Sequence, residues 1–67
     1  MKITLNNLLE TFSPESMTVT ELLKAKNFTF RMLIIKINGN LVKKNEYETA
    51  RIKDGDEVHV LHLISGG

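Results

Sequence analysis

The sequence predicts an α+β fold in which one helix packs across one face of a mixed, four- to five-stranded sheet. Three observations predict it. Met1, Ile3 and Leu5 alternate with Lys2, Thr4 and Asn6, the period-two signature of a half-buried strand. Thr18-Val19-Thr20-Glu21 is a capping box and opens a helix. Two later apolar stretches, Met32 to Ile37 and Glu57 to Leu63, each adjoin a tight-turn signal.

In chain order, Asn6-Asn7 can adopt positive φ and turns the first strand back into a second one, Leu8 to Phe12. Ser13-Pro14 ends that hairpin, because proline cannot donate to a ladder. In the helix, Thr18 can accept from the amide of Glu21 while Glu21 reaches back to Thr18. Met17 and Leu22 have the spacing of a hydrophobic staple, and Val19, Leu22 and Leu23 form one apolar stripe. Lys24 and Lys26 fall in the last turn, where cations suit the helix dipole. Met32 to Ile37, broken only by Lys36, reads as a central strand. Asn38-Gly39 turns it into a short returning strand at Leu41-Val42. Lys43 to Lys53 carries a weak pattern and reads as a loop with one irregular helical turn around Tyr47. Asp54-Gly55-Asp56 is a second turn before the last strand, Glu57 to Leu63. The expected order is strand, strand, helix, then three strands.

Composition bounds what such a domain does. With 67 residues there is one domain, its core limited to what a 42% hydrophobic content can fill. Nine Lys+Arg against eight Asp+Glu leave a net charge of +1 without a basic block, which argues against nucleic acid as partner. Lys43-Lys44 reads as a solvated turn. No apolar run reaches membrane-spanning length, and the amino-terminal residues lack a signal-peptide core, so a cytoplasmic protein is expected. The absence of cysteine excludes disulfides, thiol catalysis and zinc–thiolate sites.

No catalytic constellation or metal site emerges. His59 and His62 are the only histidines, and three residues apart on a strand they point to opposite faces. Asp54, Asp56 and Glu57 lack calcium-loop spacing and read as turn chemistry. Gly39 and Gly55 stand alone, so no phosphate-binding loop is present. The expected reading is not an enzyme.

Two features at the carboxyl end remain. The last strand is apolar in both registers, Val58 and Val60 on one face and Leu61 and Leu63 on the other. Either a twist or bulge turns Leu61 or Leu63 into the core, or both belong to an exposed patch that docks a partner. The chain then closes on Gly66-Gly67, a pair expected by chance in roughly 0.5% of chains at average glycine usage. A terminal carboxylate on a tail without bulk can thread into another protein's active site and be activated there, since glycine permits an extended backbone and close approach. The expected division is a folded domain at 1–63 and a flexible tail at 64–67.

These residues resemble the ThiS family, the sulfur carriers of thiamine biosynthesis, within the ubiquitin-like β-grasp fold. The likeness runs through Lys2-Ile3-Thr4-Leu5-Asn6, Thr18-Val19-Thr20-Glu21-Leu22-Leu23, Ile35-Lys36-Ile37-Asn38-Gly39, Glu46-Tyr47, Asp54-Gly55-Asp56-Glu57-Val58 and the closing Gly66-Gly67. Lys43 departs from it, standing where the family often has proline. The small subunit of molybdopterin synthase shares fold and tail but is usually longer, often with proline shortly before its glycines; Leu63-Ile64-Ser65 favours the ThiS family.

The resemblance implies a mechanism and a set of partners. A ThiF-like adenylating enzyme would use ATP and Mg to adenylate Gly67, and this chain would bind no cofactor itself. A persulfide from a sulfur donor such as a cysteine desulfurase would displace AMP and leave a thiocarboxylate. A ThiG-like thiazole synthase would take that sulfur into the thiazole ring of thiamine. Ser65 and Gly66 would thread into the partner, Leu61, Leu63 and Ile64 would dock against it, and the free protein would be a monomer. The resemblance also implies first and last strands side by side and parallel at the sheet centre. Alternatives are a carrier serving molybdopterin synthesis or tRNA thiolation, a ubiquitin-like modifier joined through Gly67 to lysines, and a plain binding module with a frayed end.

Overall fold

Alternation at the amino terminus produces the first strand as expected. In a computed structural model, which describes residues 1–29 and 32–62, β1 (Lys2–Leu5) buries Ile3 and Leu5 and leaves Lys2 and Thr4 toward solvent. Asn6 and Asn7 take φ of 50° and 68°, so both sit in the left-handed region that a two-residue hairpin matching strand twist demands. The chain returns as β2 (Leu8–Thr11), antiparallel to β1 with Leu5 opposite Leu8 and Lys2 opposite Thr11.

A short strand, β3 (Ser16–Thr18), leads directly into α1 (Val19–Ala25). The capping box is complete: the Glu21 N–H donates to Thr18 Oγ1 at 3.1 Å, and the Thr18 N–H donates to Glu21 Oε1 at 2.8 Å. The backbone bond from Thr18, then its side chain, holds the Glu21 carboxyl below the ordinary glutamate range. Val19 and Leu22 are fully buried, with Leu23 partly buried beside them. Lys26 is the C-cap; its ammonium pairs with Glu10 of β2 at 2.9 Å, in addition to lying at the negative helix end. Asn27 then takes φ 57°, the Asn27 N–H donates to the Lys24 carbonyl and the Phe28 N–H to the Leu23 carbonyl. That bond pair is a Schellman stop, with asparagine in the place usually held by glycine.

β4 (Leu33–Ile37) and β5 (Asn40–Val42) form a second hairpin through Asn38 (φ 51°) and Gly39 (φ 84°). A 3₁₀ turn at Lys44–Glu46 ends on Tyr47, close to the expected irregular turn. Beyond it the structure differs from the expected loop. Arg51–Lys53 is a strand, β6, paired antiparallel with β3 in a separate two-stranded sheet. Each of these two strands has three residues and one buried side chain, Met17 opposite Ile52, too short for a period to show.

β7 (Glu57–His62) completes the main sheet in the order β2-β1-β7-β4-β5. β1 and β7 run parallel, with Thr4 opposite Glu57 and Leu5 opposite Val58, as the resemblance implied; the other pairings are antiparallel. One core joins the layers, with Ile3, Leu5, Ile35, Val58 and Val60 of the sheet meeting Val19 and Leu22 of the helix and Ile52 of β6.

Candidate functional site

The last strand leads toward the carboxyl end, and polar clamps fix it along its length. The Asp54-Gly55-Asp56 turn ties its start to neighbouring segments. The Lys2 N–H donates to Asp54 Oδ1 at 2.6 Å, the Gly55 N–H to the Lys2 carbonyl at 2.8 Å, and the Lys53 N–H to Asp56 Oδ2 at 2.8 Å. The acidic residues of this turn are therefore turn chemistry, as the sequence indicated. Asn38 joins the same region, accepting from the Glu57 N–H at 2.9 Å and donating to Asp56 Oδ1 at 3.0 Å.

Farther along, Asn6 extends the parallel ladder beyond the end of β1. Its backbone N–H donates to the Val58 carbonyl at 2.9 Å. Its side chain then takes over: Oδ1 accepts from the Val60 N–H at 2.8 Å and Nδ2 donates to the Val60 carbonyl at 3.2 Å. A side-chain amide thus acts as one more residue of β1. The placement of Val60 in the carboxyl half of β7 depends on it.

The sheet face away from the helix carries an exposed apolar surface around β7. Val58 and Val60 point into the core, so Glu57, His59 and Leu61 point outward, and Leu61 is 50% exposed. The bulge that would have turned Leu61 inward is absent from the register, which stays continuous from Ile37 opposite Val58 to Leu33 opposite His62. Ile34 lies directly opposite Leu61 on this face, and exposed Leu41 lies on the same face opposite Lys36. His59 and Lys36, level with Leu41, sit between the Ile34–Leu61 pair and the Glu57 end, His59 lying 3.8 Å from the Glu57 carboxylate. The result is an apolar strip at the carboxyl end of β7 with mixed charge at the other end.

His59 and His62 do fall on opposite faces, paired with Lys36 and Leu33 respectively. Among the described residues no group of three metal-ligating side chains converges. No described helix is long and apolar enough to cross a membrane. Leu63, Ile64, Ser65, Gly66 and Gly67, together with the expected tail at 64–67, lie outside the described residues.

The family model for ThiS matches residues 3–67, nearly the whole chain. The chain belongs to the ThiS family. Two structures share its architecture with it. A crystal structure of the thiamine biosynthesis protein ThiS from Geobacter metallireducens is 32% identical, superposes with a TM-score of 0.89, and each chain covers all of the other. A solution NMR structure of a thiamine biosynthesis protein from the same organism is 31% identical, with a TM-score of 0.78 over all of this chain and 88% of that one. The ThiS β-grasp topology accounts for the central parallel pair and places Leu61 one residue before the end of β7.

Two surface residues of this ThiS-family chain were missed in the sequence, Ile34 and Leu41. The outward orientation of Ile34 was legible: in the run from Met32 to Ile37, the residue sharing a face with Lys36 is Ile34. Lys36 marks that face as solvated, so Ile34 is an outward apolar residue.

Proposed function

We propose that this chain is a sulfur carrier for the thiazole ring of thiamine, acting as co-substrate of other enzymes and itself no enzyme. The observation that carries the proposal is that the ThiS match runs to residue 67 and so includes Gly66-Gly67. The thiamine biosynthesis proteins that share its fold support the destination of the sulfur.

The chemistry follows from the one group a bare diglycine presents. A carboxylate oxygen of Gly67 attacks the α-phosphorus of ATP in a ThiF-like enzyme, with Mg held by that enzyme, and pyrophosphate leaves. The acyl adenylate is then a good electrophile. The terminal sulfur of a persulfide, supplied by a donor such as a cysteine desulfurase, attacks its carbonyl carbon and expels AMP. A further thiol loses its proton and attacks the donor-side sulfur of the resulting acyl disulfide, forming a new disulfide with the donor and releasing the thiocarboxylate. A ThiG-like thiazole synthase receives that sulfur. Ser65 and Gly66 thread the narrow channel, since neither has a bulky side chain to block it. Leu61, Leu63 and Ile64 dock the carrier, with Ile34 and Leu41 widening the apolar strip.

Reconstitution tests this reading. With its adenylating enzyme, Mg-ATP and a sulfur donor, the protein gains the mass difference of sulfur for oxygen, located at Gly67. One residue added after Gly67 abolishes the gain while the fold persists. Conjugation to lysines of other proteins in place of that mass change would identify a modifier instead.

A further inference from the structure

The edge of the β4–β5 hairpin holds a feature that sulfur transfer does not account for: an open stretch of backbone beside a groove. β5 covers β4 only from Ile35 to Ile37, because Lys43 leaves the ladder: its N–H donates to Glu46 Oε1 at 2.9 Å and starts the 3₁₀ turn. The Asn38 N–H bonds to the Glu57 carbonyl, so even-numbered residues of β4 bond toward β7 and odd-numbered ones toward β5. The Leu33 N–H and carbonyl therefore face the vacated side, where they meet no partner strand among the described residues. Beside this open edge lies a groove of about 770 Å³ with Leu23, Phe28, Leu33 and Tyr47 in its lining, together with Ile34 and Leu41 of the outward face. Lys43 and Lys44 also line it, and Lys24 lines an adjoining hollow of about 330 Å³. Among the described residues none of these three lysines forms an ion pair, and no acidic side chain lines either space.

We propose that this groove takes an extended acidic segment of a partner protein, which adds as a strand to the edge of β4 at Leu33. The open backbone supplies strand pairing and the apolar lining accepts alternate side chains of the added strand. The lysines select acidic flanks. They also disfavour a second copy of this chain, because lysines at a strand edge oppose self-pairing. The groove runs round the edge of the hairpin and shares Ile34 and Leu41 with the outward apolar strip, but Leu61 is not in its lining, so pairing at Leu33 is distinguishable from docking at Leu61.

The test uses the full chain and two synthetic octapeptides, each with a core of four alternating valines and isoleucines. One has two aspartates at each end, the other two lysines. In NMR titration the aspartate peptide shifts Leu23, Leu33, Lys43 and Tyr47, and slows exchange of the Leu33 amide. The lysine peptide does not. Lys43→Glu with Lys44→Glu weakens the aspartate peptide about tenfold, two exposed attractions being replaced by repulsions, while the rest of the spectrum keeps its folded pattern. Equal binding of both peptides overturns the proposal, as do shifts confined to the Leu61 face or none at millimolar peptide. Protection of the Leu33 amide by self-association without peptide overturns it in favour of a second copy.

Discussion

Replacing Asn6 tests whether a side-chain amide really serves as the last residue of the β1–β7 ladder. Asn6 combines two demands: a left-handed backbone at φ 50° and two hydrogen bonds to Val60, a core residue only 7% exposed. Asn6→Gly separates them, because glycine tolerates the backbone but makes neither bond. At about 1 kcal/mol net per bond, the loss is about 2 kcal/mol. Asn6→Ala adds roughly 1 kcal/mol for holding a Cβ in the left-handed region. In a domain of this size, about 2 kcal/mol lowers Tm by roughly 8–16 °C. Urea unfolding at constant m-value measures the difference, and hydrogen exchange localises it: the Val60 amide loses protection more than core amides of α1. If Asn6→Gly stays within about 0.5 kcal/mol of the parent, the ladder-extension reasoning is wrong.

Other substitutions address separate parts of the structure. Ile52→Ala, at a fully buried position in β6, should cost about 2–5 kcal/mol in chemical unfolding; a surface-like value would show that the small sheet contributes little to the core. Thr18→Ala should cost about 1 kcal/mol through loss of the helix cap, measured by thermal unfolding. The lowered pKa of Glu21 makes its contribution fully present above the unfolded glutamate pKa and lost as pH falls through the lower folded value; Glu21→Gln should flatten that acid-side slope. Leu61→Ala should leave folding within about 0.5 kcal/mol of the parent yet weaken binding to the adenylating enzyme by about 2 kcal/mol in calorimetry, and a folding defect instead would return Leu61 to the core.

Where local chemistry decides structure, the sequence was easy to read. The Thr18–Glu21 box, the Asn6-Asn7 and Asn38-Gly39 turns and the Asp54-Gly55-Asp56 turn each need particular residue types at adjacent positions, and each formed. β3 and β6 were illegible because they exist through each other: Met17 and Ile52 are buried by a pairing between segments 35 residues apart. The Schellman stop escaped notice because Asn27 does there what a glycine ordinarily signals. At the candidate site, alternation placed Leu61 outward, but its neighbours Ile34 and Leu41 come from a register that only the folded sheet reveals. Asn6 is the least visible of all, because no local pattern announces that an asparagine side chain will bond a residue 54 positions away.

Intact-mass spectrometry of the protein purified from its native host tests sulfur carriage most directly. The expected spectrum contains the unmodified chain and a species heavier by the difference between sulfur and oxygen. Fragmentation should assign the added mass to Gly67, and Gly66→Val should remove it, since a β-branched side chain restricts the backbone and adds bulk where the proposed mechanism threads the tail. A sulfur-bearing species whose added mass maps elsewhere, or a Gly66→Val protein that carries it undiminished, would contradict the assignment of the chemistry to this terminus.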